Sequence, residues 1–163
     1  MIRKATENDI QAVLAIFDKA KDIMRSDGNS TQWGDGYPDA GTVRTDISMG
    51  GAHIVDHDRK PVGYFALLPS PEPTYSSING KWLDDTAPYF VIHRIASSPE
   101  SHGVFREIIE YALSVSGNLR IDTHRDNRIM RHVIERAGFS YCGVINLPDG
   151  SERLAYQMIT YAL

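Results

Sequence analysis

The chain has 163 residues, 42% of them hydrophobic and 23% charged, with a net charge of −4. That is the balance of a globular protein, and the length suits one domain, residues 1–163, around a single sizeable core. The acidic balance excludes the usual electrostatic footprint of a nucleic-acid or anionic-membrane binder, no apolar run reaches the roughly twenty residues of a membrane span, and the opening MIRKATENDI lacks the apolar stretch of a signal peptide.

Ile2 to Ala5 is predicted as a first strand. Thr6, with Asp9 three residues on, is a weak capping box for a helix that buries Ile10, Val13, Leu14, Phe17 and Met24, and Asp27-Gly28-Asn29 ends it. Gln32 to Pro38, QWGDGYP, is a glycine-rich loop carrying Trp33 and Tyr37. A second helix is predicted over about Gly41 to Met49, stopped by Gly50-Gly51. Ala52–Asp56 and Val62–Leu68 read as an antiparallel hairpin turning at His57-Asp58-Arg59-Lys60. Residues 69–88, rich in proline, serine and acids, form a loop of a length that is usually functional or mobile.

Tyr89 opens the stretch YFVIHRIASSPESHGVF. Its first half is apolar and β-branched, interrupted only by His93 and Arg94, and reads as a buried central strand. Pro99 and Gly103 then turn the chain into a helix with apolar positions Val104, Phe105, Ile108, Ile109, Ala112 and Leu113. A tight strand-to-helix turn brings unpaired backbone N–H groups to one point and favours an anion there. Asn118–His124 is a strand parallel to the central one, as the helical crossover requires. Asp126 is a cap for a helix burying Ile129, Met130, Val133, Ile134 and Ala137, with Gly138 just past its end. Phe139–Ile145 and Glu152–Ile159 form a last hairpin around Pro148-Asp149-Gly150. The lone Cys142 cannot form an internal disulfide and fits a reducing cytoplasm, and no clustered Cys/His spacing points to a metal.

His93-Arg94-Ile95-Ala96, followed by Pro99 and Gly103, resembles the coenzyme A segment of the GNAT superfamily of N-acetyltransferases. There a strand reading roughly H-R-hydrophobic-A-V runs into P-x-x-(Q/R)-G-x-G-x-(G/A). His102-Gly103 fits the (Q/R)-G pair, whereas the glycine-rich arm beyond it is about two residues shorter in this chain. Asn127, Glu135, Arg136 (in place of Lys), Gly138 and Phe139 match a second family pattern, N-x-x-A-x-x-L-Y-E-K-x-G-F. The element order β-α-α-β-β-β-α-β-α-β-β extends the resemblance over nearly the whole chain. It implies an α/β (α+β) fold with a central mixed, mostly antiparallel sheet, one splayed parallel strand pair and helices on both faces. It also implies acetyl-CoA as co-substrate and a primary amine, on a small molecule or a peptide, as acceptor.

Carried over by position, the backbone of Ile95-Ala96-Ser97 would pair with the pantetheine amides, with the Ile95 N–H also suited to the developing oxyanion. The amides of His102, Gly103, Val104, Phe105 and Arg106 would meet the pyrophosphate, and Asn127 would contact the coenzyme or shape the site. The family's Tyr, which can protonate the leaving thiolate, is replaced by Ile134, and the Glu that serves some members as base falls at Val91. Acetyl transfer needs the amine neutral. His93, on the face of Val91, and Asp122 and His124, sharing a face of the next strand, are the groups that could take its proton.

Blander roles stay open beside these. His93 would also serve as a hydrogen-bonded core histidine, Asp122 as a partner of Arg94 or Arg120, and Asn127 as a helix-start residue. Trp33, Tyr37 and Tyr75, with Trp82, lie on loops that look like acceptor-side segments of a bacterial subgroup; they either wall a pocket for a small amine or cover a satellite core. Three readings follow: an acetyltransferase working by direct transfer, a non-catalytic module binding acyl-CoA or an amine ligand, and a structural domain. A homodimer is compatible with each.

Overall fold

The computed structural model describes residues 1–34 and 36–161; Asp35 of the aromatic loop and the last two positions of the expected 1–163 domain lie outside them. In chain order the elements are β1 (Ile2–Lys4), α1 (Ile10–Ser26), α2 (Ala40–Ser48), β2 (Ala52–His57), β3 (Lys60–Pro69), β4 (Asn79–Gly80), β5 (Phe90–Ser97), α3 (Val104–Val115), β6 (Asn118–Thr123), α4 (Arg128–Arg136), β7 (Ser140–Asn146) and β8 (Glu152–Ile159). The strands form one sheet in the order β1-β2-β3-β5-β6-β8-β7-β4, antiparallel except for the β5–β6 pair. No helix among the described residues is long and apolar enough to cross a membrane.

Local chemistry accounts for most boundaries. The Asp9 carboxylate accepts the Thr6 N–H at 2.8 Å at the entrance to α1. The Asp39 carboxylate caps α2 by accepting the Thr42 N–H at 2.8 Å. Asp58 and Arg59 both take positive φ, 51° and 65°, giving the two-residue turn whose twist matches the flanking β2 and β3.

Apolar faces of the sheet divide the core in three. Phe65, Leu67, Ile92, Ile121 and Tyr156 pack under α3 and the buried Ile134 of α4. On the opposite face Ile54, Tyr64 and Ala96 pack under α1 with Phe17 and Trp33. Farther along that face Val91, Cys142, Ile145 and Ala155 lie beneath Tyr75 and Trp82. Cys142 is thus a small buried hydrophobe.

Three expectations are corrected. The cap of α4 is Asn127, whose Oδ1 accepts the Met130 N–H at 3.1 Å, rather than Asp126. Ile129 is 54% exposed, and Ala137 is exposed as well, because α4 lies on the sheet through Ile134 alone, with Met130 and Val133 half-buried. Residues 69–88 are not structureless. Glu72 starts a single 3₁₀ turn, Pro73–Tyr75, and Asn79–Gly80 joins the sheet beside β7.

The central strand carries the irregularity that matters most. Ala66 faces His93 and Tyr64 faces Ala96, so Phe65 is opposed by two residues, Arg94 and Ile95. This β-bulge puts Arg94 at φ 54°. Parallel pairing with β6 runs from Phe90–Leu119 to Ile92–Ile121 and stops there. From His93 onward the two strands part.

Where β3 meets α3, only a glycine fits. A Cβ on Gly63 would stand 2.7 Å from Val104 Cγ1 and 3.2 Å from Val55 Cβ. Gly63→Ala is expected to push the first turn of α3 off the sheet and to cost about 1–3 kcal/mol, read as a lower urea midpoint at an unchanged slope.

Candidate active site

A cleft of about 830 Å³ opens where β5 and β6 separate. Ile92 to Ile95 of β5 form one wall, and Ile121 to Thr123 of β6, with His124, form another. Trp33 and Tyr37 close it from the aromatic loop, Glu72 and Thr74 from the long loop, Asp149 and Ser151 from the β7–β8 turn, and Arg153 from the start of β8.

His93 and Asp122 both line this cleft. His93 Nε2 stands 3.5 Å from Glu72 Oε2, with the two side chains 19% and 23% exposed. The imidazole beside it, opposed by partial burial and helped by the Thr74 hydroxyl, holds the Glu72 carboxyl down to about 2. That hydroxyl donates to the other oxygen, Oε1, at 2.8 Å. Glu72 is therefore an anion anchored on its own 3₁₀ turn with one oxygen turned to the histidine. Asp122 Oδ2 accepts the Tyr75 hydroxyl at 2.6 Å. Burial first, and Asp122 second, push that phenol well up, so it remains a neutral donor. Neither Arg94 nor Arg120 is the partner of Asp122. Arg94 donates to Asp46, and Arg120 is clamped between the rings of Trp82 and Tyr89, each 3.8 Å from its guanidinium carbon.

The aromatic loops divide by role. Trp33 and Tyr37 line the cleft, Trp33 being braced edge-on by Phe17 at 5.5 Å. Tyr75 and Trp82 are 2% and 3% exposed, belong to the third core cluster and do not line it. Tyr75 reaches the site only through its hydroxyl.

Asn127 lines the cleft as well as capping α4, and its Nδ2 donates to Gln32 Oε1 at 3.0 Å. The same Gln32 oxygen accepts Asn29 Nδ2 at 2.9 Å, so the aromatic loop is tied to the turn that follows α1 and to the start of α4. His124 Nδ1 accepts the Asp126 N–H at 3.0 Å, which leaves the proton on Nε2, 3.2 Å from the Thr31 hydroxyl. Burial, and then the Arg153 charge, lower its basicity.

The segment from Ala96 to Arg106 lies outside the cleft, along the edge of β5 and into α3. Ala96 is buried against α1, and Val104 at the start of α3 is buried in the main core, while Phe105 is half-buried. Gly103 is the N-cap of α3 at φ 75°, with no side-chain cap. A Cβ there would meet nothing within 4 Å, so the space before the first turn is open. His102 and Arg106 are exposed, and Arg106 pairs with Glu110 one turn on at 3.0 Å. Sequence reasoning missed Glu72, Gln32 and Arg153. Only the first carried a usable signal, the Glu-Pro-Thr start of a turn inside a loop already marked as functional.

The fold is shared with known structures. An acetyltransferase of the GNAT family from Streptococcus agalactiae is 32% identical, with a TM-score of 0.90, over 99% of this chain and 96% of that one. A GNAT-family acetyltransferase from Listeria monocytogenes is 19% identical with a TM-score of 0.72, over 98% of this chain and 94% of that one. The ribosomal-protein-S18-alanine N-acetyltransferase of Escherichia coli is 15% identical with a TM-score of 0.65, over 100% and 96% of the two chains. The last two show likeness of fold alone. No family model matches the sequence, and no curated protein does. The chain belongs to the GNAT family of acetyltransferases. That membership supports acetyl transfer as its general activity, in a family that uses acetyl-CoA.

The Glu72 carboxyl is held below its ordinary 4.5 by groups that exist only in the folded chain. A depressed carboxyl adds stability above its unfolded value and loses it as pH falls toward the folded one. Urea midpoints of the wild type are expected to drop between about pH 4.5 and about pH 2, and those of Glu72→Gln to drop less over that interval.

Proposed function

We propose that the protein transfers an acetyl group from acetyl-CoA directly to a primary amine of a small molecule or peptide. The observation that carries this reading is the gap where β5 leaves β6 beyond Ile92, which opens a cleft lined by charged residues, with the start of α3, free of a side-chain cap, following at the end of β5. Bound there, acetyl-CoA supplies a thioester whose carbonyl carbon bonds to the amine nitrogen as the C–S bond breaks and sulfur leaves with the electron pair.

The residues fit such a group. Past Ile92 the edge of β5 has no β6 partner, so Ile95 to Ser97 can offer backbone groups to the pantetheine amides. The open N-terminus of α3, from Gly103 to Arg106, offers amides and the positive end of a helix dipole to the pyrophosphate. The arm is short because Gly103 turns straight into the helix in the left-handed conformation.

The acceptor enters between Trp33, Tyr37 and the Glu72 turn. Asp122, with one oxygen held by Tyr75, attracts the ammonium form through the other. His93 then takes the amine proton. Glu72 orients the imidazole and stabilises the imidazolium that forms, which replaces the carboxylate missing at Val91. Ile134 is fully buried in the core and has no part in proton transfer. Departure as a thiolate near neutral pH needs no acid from that position.

Two measurements test this reading. Acetyl-CoA is expected to bind at least about tenfold more tightly than acetyl-pantetheine, which lacks the pyrophosphate. Gly103→Pro, unable to adopt φ 75°, should remove that advantage, and equal affinities in the wild type would take α3 out of the site. His93→Ala is expected to lower kcat by about 10²–10⁴-fold and flatten the acid limb of the pH–rate profile, with acetyl-CoA affinity unchanged. An unaltered profile would move the base elsewhere.

A further inference from the structure

Arg153 is a guanidinium in the cleft that the chemistry above does not use. It is the second residue of β8, is 7% exposed, and lines the cavity from the side of β6 opposite β5. Its terminal nitrogens donate to two backbone carbonyls, Glu152 O at 2.8 Å and Gln32 O at 3.1 Å. Those two bonds hold its plane in place and leave the Nε–H and one N–H on each terminal nitrogen without an acceptor among the described residues. No carboxylate among the described residues lies within ion-pair distance of it. Neighbouring acids have other hydrogen-bond partners: Glu152 pairs with Arg125 at 3.1 Å, and Asp149, which is exposed, accepts the Ser151 hydroxyl at 2.6 Å and N–H at 2.9 Å, bonds that lower its carboxyl with help from the nearby Arg153 charge. A cation this deeply buried is normally matched by an anion, since burial of an unpaired charge is costly.

Its position relative to the proposed transfer groups is set by the sheet. Asp122 on β6 faces Ala155 on β8, and Arg153 lies two residues before Ala155, so all three side chains share one face. His124 shares that face too, and its lowered basicity, caused by burial and then by Arg153, keeps it from adding a second cation. Arg94 also lines the cleft but is paired with Asp46, so among the described residues Arg153 is the lining guanidinium with no carboxylate at ion-pair distance, across the cleft from Glu72 and Asp122. A molecule carrying an ammonium and a carboxylate matches both ends.

We propose, resting on the transferase reading above, that Arg153 anchors a carboxylate of the acceptor, so that the acceptor is an amino carboxylate with its amine at His93 and Asp122. A guanidinium with a fixed plane and several free N–H groups suits the flat two-oxygen geometry of a carboxylate.

The test follows release of free thiol from acetyl-CoA with a panel of the common amino acids, each beside its carboxamide and its decarboxylated amine. The wild type is expected to favour the best amino acid over its own amide by about tenfold to a hundredfold in kcat/KM. Arg153→Gln should bring that ratio close to one, and Arg153→Lys should restore part of it, with melting temperature and acetyl-CoA affinity checked for both. Equal use of acid and amide by the wild type would overturn the inference without any variant. So would an undiminished ratio in a folded Arg153→Gln protein, or a panel with no acceptor although acetyl-CoA binds. Failure to bind acetyl-CoA would overturn the transferase reading beneath it, and this inference with it.

Discussion

The ion pair between Arg94 and Asp46 is the constraint on which the site depends. Arg94 is the extra residue of the β5 bulge and takes a left-handed φ of 54°, a conformation that costs a non-glycine residue about 1–3 kcal/mol. What holds it there is a carboxylate on α2 that is almost fully buried. Asp46 accepts both Arg94 Nε, at 2.9 Å, and a terminal guanidinium nitrogen, and the Tyr64 hydroxyl at 2.5 Å from the opposing strand. Stripping one partner from such a cluster leaves an uncompensated buried charge, so the arrangement over-determines the bulge. The consequence is geometric. Val91 and His93 lie on one face, Ile95 packs under α3, and Ala96 lies against α1. Without the inserted residue, the alternation of β5 would keep the opposite phase beyond Arg94 and β5 would have no reason to leave β6 at Ile92.

The loops around the cleft are fixed by a few buried polar contacts rather than by secondary structure. Gln32 joins the turn after α1, the start of α4 and the aromatic loop through one side-chain oxygen, and Arg153 holds the Gln32 carbonyl from β8. The long loop is pinned at its far end by Arg120. Trp82 and Tyr89 cover the two faces of its guanidinium, and the Asp84 carbonyl accepts from it at 3.0 Å. Pinned there and at the short pairing of β4 with β7, that loop has little freedom in where it places Glu72. The carboxylate that faces His93 thus comes from a loop rather than from the central strand.

How much was legible follows from the range of each signal. The caps, turns and helix faces are set by residues three or four apart, and nearly all were readable. The exceptions lay on α4, where Ile129 and Ala137 are apolar at helical spacing yet exposed because a nine-residue helix lies on the sheet along one narrow line. The resemblance of His93-Arg94-Ile95-Ala96 to a family segment located the central strand. It did not reveal that Arg94 serves the bulge through Asp46, because that partner is 48 residues away and no local pattern marks it.

By itself the sequence determined the element order apart from the short β4, the splayed parallel pair through its family motif, and the placing of His93 and Asp122 on adjacent strands. Periodicity and strand alternation are properties of neighbouring residues and survive without a structure. Only the tertiary structure decided which charges meet. Glu72 reaches His93 across 21 positions, Tyr75 reaches Asp122 across 47, and Arg153 lines the cleft with no carboxylate among the described residues at ion-pair distance. Such pairings depend on loop closure and on burial, and burial makes an unmatched charge consequential in a way that composition cannot record.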